Sequence, residues 1–321
     1  MPITGPASYV PTANQFISHW EASNLALGAG GPLVTEAGAT IAILTGFRDQ
    51  LDGFRDSVQD KLNAVEIAAG TALLLKTALV ARAGEFNRKV RGSLGNTPFA
   101  RALPQAPQVT DGEASVLEAL ADIKSLWPRI NAATIAGFTP PLLLLGGYPV
   151  ATYLTDFVAL KAAYEDGDDA ETDLKLERER RNDVQDLAYP VMRDYRAAVL
   201  GSFAPTDALV ASLPRLTPEP GATPDPVTLS GLYNQQLQAG SFSWTGSANP
   251  RLLKYQLRFC AGATYSTETE IVVADVPPGT LSLLTISGVT TPGDIASYRL
   301  YVILDTENEA GSNTITLTRP V

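Results

Sequence analysis

Up to about residue 213 the apolar positions recur at helical spacing, and beyond it they alternate in short runs. The clearest helical pattern lies between Ile41 and Leu94. Leu44, Leu51, Val58, Val65, Ala72, Leu79 and Phe86 recur every seven residues. A second row begins as Phe47 and Phe54 and shifts one place to Leu62, Ala69, Ala83 and Val90. That drift belongs to a straight helix of period 3.6 rather than to a sustained supercoil. Such a helix would be roughly 80 Å long at ~1.5 Å per residue. Gly70 and Gly84 are where it could break, since each glycine costs about 1 kcal/mol relative to alanine in a helix.

Three further helices are predicted. The first starts after Pro11 with Thr12 or Asn14 as cap, carries Phe16, Trp20 and Leu27, and ends at Gly28, Gly30 and Gly31. Another opens at Asp111 and carries Val116, Leu120, Ile123 and Trp127. The last occupies about 150–202, with Leu154, Phe157, Leu160 and Tyr164 as one stripe and Val184, Leu187, Val191 and Tyr195 as another; Pro190 should kink it. Between those stripes 14 of the 22 residues from Glu165 to Asp186 are charged. Asp166 to Asp169 forms a turn there, or the helix runs through. The continuous reading pairs two long antiparallel helices with two shorter ones, an elongated four-helix bundle over 1–213.

Five prolines between Leu213 and Pro226 cannot continue a helix and favour a stiff, extended connector, placed at 214–226. Strands are predicted at 227–232, 238–245, 252–260, 269–275, 280–286, 296–304 and 313–319. The fold class expected is therefore multidomain α + β: the bundle first, then a seven-stranded immunoglobulin- or fibronectin III-like sandwich over 227–321.

The sandwich residues carry a family resemblance. Phe242-Ser243-Trp244-Thr245, Leu253-Lys254-Tyr255-Gln256-Leu257-Arg258, Leu283-Leu284-Thr285-Ile286-Ser287-Gly288, Tyr298-Arg299-Leu300-Tyr301-Val302 and Asn308-Glu309-Ala310-Gly311-Ser312 resemble successive segments of fibronectin type III domains. The resemblance covers only the last ~95 residues; no family is recognised for 1–213. It implies a core tryptophan at Trp244 and a corner tyrosine at Tyr298, both structural; Tyr255 is also expected in the structural core. No Arg-Gly-Asp occurs, so the integrin loop of some members does not transfer. The stretch from Asp305 to Asn308 is longer than the family pattern.

The formal charge of −10 disfavours nucleic acid and anionic membranes as partners. The first twenty residues lack the basic start and apolar core of a signal peptide. The longest uncharged stretch, 130–155, is broken by Pro140, Pro141, Gly146, Gly147 and Pro149, so no span is expected there. The protein reads as soluble, either cytoplasmic or part of an extracellular or particle assembly. His19 is the only histidine and Cys260 the only cysteine. Zinc sites and histidine-dependent nucleophiles are thereby nearly excluded, and no cofactor motif or Gly-x-Ser-x-Gly elbow occurs. The acidic run Asp166, Asp168, Asp169, Glu171 and Asp173 fails the EF-hand pattern, because Ala170 occupies a ligand position.

One apolar segment does not fit a helix stripe. Phe138, Leu142, Leu143, Leu144, Leu145 and Tyr148 are either a loop tucked over the bundle end or an exposed patch used in assembly. The function expected is a non-enzymatic structural or assembly protein, self-associating through the helical region, with protein or homo-oligomeric partners. The alternative is adhesion or glycan and protein binding through sandwich loops such as Asn249–Arg251 or Asn308–Ser312.

Overall fold

A computed structural model describes residues 2–221 and 223–321; Ala222, in the expected connector, lies outside the described residues. The helices are α1 (Tyr9–Leu27), α2 (Ile41–Leu94), α3 (Pro98–Arg101), α4 (Glu113–Ala132), α5 (Val150–Ser202) and α6 (Ala208–Ala211). The strands are β1 (Leu229–Asn234), β2 (Ala239–Trp244), β3 (Leu252–Ala261), β4 (Ile271–Val276), β5 (Ser282–Thr285), β6 (Ile295–Leu304), β7 (Glu309–Gly311) and β8 (Ile315–Thr318). The chain divides into two compact units, one of Met1–Asp60 with Leu176–Val321 and one of Lys61–Lys175. The division falls inside α2 and α5 and not at the proline run.

α2 is continuous through Gly70 and Gly84, and α5 is continuous through Asp166–Asp169, which removes the turn considered for that stretch. α1 begins at Tyr9, earlier than the cap expected at Thr12 or Asn14. Pro11 falls in its first turn, where a backbone N–H has no helical partner to lose. The Ser8 hydroxyl makes no cap bond to α1; it accepts from the Thr4 and Gly5 amides at 2.8 and 3.0 Å and so closes the 3-10 turn Pro6–Ser8 that leads into the helix.

In the unit of residues 61–175, the core joins Leu79, Phe86 and Val90 of α2, Val116, Leu120, Ile123 and Trp127 of α4, and Tyr153, Phe157 and Leu160 of α5. In the other unit, Phe16 and Trp20 of α1 meet Leu44 of α2 and Met192, Tyr195 and Val199 of α5. Each helical core thus draws on three helices. The sevenfold row of α2 is its buried edge: Leu44, Leu51, Val58, Ala72, Leu79 and Phe86 are all buried.

The strands form two antiparallel sheets, β1-β2-β5 and β4-β3-β6-β7, with β8 also on β6. β7 pairs with Tyr301–Ile303 and β8 with Ile295–Tyr298, so the final run expected at 313–319 is preceded by a short strand inside the expected loop 308–312. Ser312 bridges the gap: its amide donates to the Leu300 carbonyl and its hydroxyl accepts from the Leu300 amide, at 2.8 and 3.0 Å. Between the sheets lie Phe242, Trp244, Tyr255, Leu257, Tyr298, Leu300 and Val302. Tyr298 donates from its hydroxyl to the Ser287 carbonyl at 2.6 Å, a corner tie, and the Tyr255 hydroxyl accepts from the Ser247 amide at 2.7 Å. Trp244 is buried with them.

Candidate interaction surfaces

The segment from Phe138 to Tyr148 must satisfy its own backbone, because no helix does it there. Asn131 Oδ1 accepts from the Leu142 amide at 2.8 Å, and the Leu142 carbonyl accepts from Trp127 Nε1 at 3.1 Å. The Leu144 amide donates to the Tyr148 carbonyl at 2.9 Å, and the Leu145 amide donates to Glu85 Oε1. These bonds pull Leu142 and Leu144 into the core, with Phe138 and Tyr148 packed against it. The Arg82 guanidinium stacks 4.4 Å above the Tyr148 ring, whose hydroxyl donates to Asp156 at 2.6 Å. Of the six residues, Leu143 and Leu145 alone stay exposed, Leu145 at 78 %. The segment is chiefly a tucked loop.

The larger open apolar surface lies elsewhere. α2 is long and apolar enough to cross a membrane by length and composition, yet only 11 % of its most apolar 18-residue window is buried. Opposite its core edge, Ile67 is 69 % and Leu74 is 75 % exposed, and Gly70, Ala78 and Ala81 complete the face at helical spacing. Glu66 precedes this face, and Arg88 and Lys89 follow it, all exposed. The sevenfold row predicts only the buried edge of α2; the signal for this second face is the run of uncharged residues opposite that row.

The outer face of the five-stranded sheet holds a polar cluster that sequence reading also missed. Arg258 on β3 is 2 % exposed and pairs with Glu270 at 2.7 Å and with Glu309 of β7. Gln256 accepts from its Nε at 2.6 Å, and the Tyr301 ring lies 3.9 Å beneath the guanidinium. Burial alone would lower the arginine's pKa, but the hydrogen bond and charge of Glu309, and then of Glu270, carry it above its ordinary value. Burial first, then the Glu270 carboxylate, pushes Tyr301 up to about 12 and Tyr265 higher still. Glu309 lies 51 residues from Arg258 and Glu270 lies 12 from it across a turn, and no helical or strand spacing announces the three together.

Beside this cluster a cleft of about 430 Å³ is lined by Pro6, Val10, Arg55, Arg181, Glu268 and Val272, among others. Thr4 Oγ1 donates to Glu309 at 3.0 Å, Thr269 Oγ1 to Gln59 at 2.6 Å, and Arg178 Nε to Glu268 at 2.7 Å. These bonds bind the sandwich to the helical part of its own unit. The lining charges face one another: Arg55 pairs with Asp52 at 3.0 Å, Arg181 lies 3.4 Å from Glu268, and Lys254 pairs with Asp275 at 2.7 Å.

The candidate nucleophilic residues are held in structural roles. His19 Nε2 faces the Leu209 carbonyl at 2.9 Å, which can only accept, so Nε2 carries the proton. Nδ1 then accepts from the Tyr195 hydroxyl at 2.6 Å. Nε2 therefore cannot take a proton from Ser212 Oγ, 3.3 Å away. Cys260 is buried, and burial pushes its thiol up, the reverse of what a thiolate nucleophile needs. The acidic residues Asp166–Asp173 are strung along α5, where Asp173 pairs with Lys61 at 2.7 Å.

No family model matches the chain, and no curated protein matches it either. Among solved structures, the chain is similar to pectate lyase PelI from Erwinia chrysanthemi in complex with tetragalacturonic acid: 16 % identity, 29 % of this chain, 28 % of that chain, TM-score 0.25. It is similar to pectate lyase Pel3 from Pectobacterium carotovorum at 11 % identity, over 29 % of this chain and 26 % of that one, TM-score 0.25. It is also similar to a Fn3-like protein from Clostridium thermocellum: 18 % identity, 31 % of this chain, 97 % of that chain, TM-score 0.25. The chain thus spans little more than a quarter of the lyases' length. At these scores the likenesses say nothing of catalysis, and the coarse picture is a helical region followed by an antiparallel β region.

Proposed function

We propose that this chain is a non-enzymatic structural protein that assembles through its helical region, with the fibronectin-like sandwich as a second contact module. One observation carries the reading: α2 leaves one face of its most apolar stretch open to solvent, with Ile67 and Leu74 prominent. Exposed apolar faces of this kind are covered by a partner or a membrane. A bilayer is the less favourable cover. Over the same stretch α2 lies beside Glu171 and Asp173 of α5, and the neighbouring α5 positions include Glu165, Asp166, Asp168 and Asp169. Hydrocarbon penalises each such charge by about 2.5–3.5 kcal/mol at mid-depth.

Binding through the sandwich loops has less support, because their polar groups are already engaged. Arg251 pairs with Asp305 at 2.8 Å, Asn308 Nδ2 donates to the Glu219 carbonyl at 2.9 Å, and Ser312 is tied to Leu300. Light scattering of the purified chain over a concentration series, with negative-stain imaging, tests the proposal. Dimers or ordered higher assemblies are expected. A monomer at every concentration overturns it.

A further inference from the structure

We infer that the open face of α2 is a self-pairing surface, on which a second copy of this chain docks its own α2 in antiparallel orientation. The inference rests on the assembly reading and adds the surface, the partner and the direction. Its first ground is charge order along one helix. The face is uncharged from Ile67 through Gly70, Leu74 and Ala78 to Ala81, with acidic Glu66 before it; after it come Arg82 and Glu85, paired to each other at 2.9 Å, and then the exposed basic Arg88 and Lys89. A parallel pair would set Glu66 against Glu66 and the basic residues against each other. An antiparallel pair that places Leu74 opposite Ala81 also places Glu66 opposite Lys89 and beside Arg88, twice by symmetry. In a chain of net charge −10 a local arrangement of this kind lets two copies approach.

The second ground is Gly70. It sits mid-helix, and a Cβ added there would meet nothing within 4 Å in the single chain. Packing within the chain therefore gives no reason for a residue that costs a helix about 1 kcal/mol relative to alanine. A neighbouring helix laid across that face does give one, because a glycine lets two backbones come close. The large exposed side chains Ile67 and Leu74 flank Gly70 and would be the residues buried on pairing.

The test uses the full chain and sedimentation velocity from about 1 to 200 µM, a range spanning weak to moderate self-affinity. Leu74→Glu is expected to weaken dimerisation by about tenfold or more, as loss of a central interface anchor does. Because Leu74 is solvent-exposed, its thermal unfolding should stay close to that of the parent. Glu66→Lys alone and Arg88→Glu with Lys89→Glu should each weaken the dimer. The chain carrying all three changes should regain it, since the opposed charges are then exchanged. A dimer unaffected by Leu74→Glu overturns this surface while leaving assembly standing. A monomeric parent overturns both. Failure of the triple exchange to recover overturns the antiparallel arrangement. Co-flotation of a monomeric parent with phosphatidylcholine vesicles, lost in Leu74→Glu, assigns the face to lipid and overturns the inference.

Discussion

Two apolar stretches of the unit 61–175 meet opposite fates. Residues 138–148, with no α-helix, fold inward and leave only Leu143 and Leu145 of their six large apolar side chains outside. Residues 67–81 of α2 are no more hydrophobic in kind, yet they leave Ile67, Leu73 and Leu74 in solvent. The difference comes from the backbone. An irregular segment must find partners for its peptide groups, and Trp127, Asn131 and Glu85 supply them from the core side, dragging the leucines with them. A helix pairs its own peptide groups, so nothing obliges its second face to turn inward. An apolar run is thus better evidence of an open surface when it lies on a helix already buried along another edge.

The contrast can be broken most forcefully at Trp127, which is fully buried and holds the Leu142 carbonyl. Trp127→Ala should cost about 3–5 kcal/mol in chemical denaturation, through a large cavity and a lost tie. Leu74→Ala, removing an exposed side chain, should change the same midpoint within ~0.5 kcal/mol. Next in size is alkaline pH. Burial, and for Tyr148 the Asp156 hydrogen bond, holds Tyr148 and Tyr153 well above the ordinary 10.0. Unfolded tyrosines lose protons above that pH while these keep theirs, so the unfolded state binds fewer protons and stability falls as pH rises. Stability is expected to fall as pH rises above about 10, and the fall should be smaller in Tyr148→Phe. Gly70→Ala should then raise helix stability by up to about 1 kcal/mol in a monomeric background such as Leu74→Glu. Smallest is Leu145→Ser, whose side chain is open: within about 0.5 kcal/mol, and without effect on self-association.

Much of this was legible in the order of residues. The row from Leu44 to Phe86 is the buried edge of α2, and seven alternating runs fall on strands. The resemblance to fibronectin type III segments implied structural roles for Trp244 and Tyr298, and these lie with Tyr255 in one core. The legible features are periodic, and periodicity reports one element at a time. The cluster around Arg258 joins three strands and the chain's first residues, so no window of sequence contains it. β7 is three residues long and is paired through β6, which a short Glu-Ala-Gly run cannot signal by itself. The open back of α2 belongs to the same pattern, but a helical period marks which row is buried and does not say what covers the opposite face.

The unit containing the sandwich is assembled from two stretches of chain separated by Lys61–Lys175. This discontinuity sets an order of events during synthesis. The core of the intervening unit is complete once Leu160 has emerged, whereas Phe16, Trp20 and Leu44 wait for Met192, Tyr195 and Val199. At ~5–20 residues per second that wait lasts about ten to thirty seconds after Leu44. For that interval a nascent chain presents an unclosed aromatic pair, and a chaperone that binds it would act on the first sixty residues rather than on the sandwich.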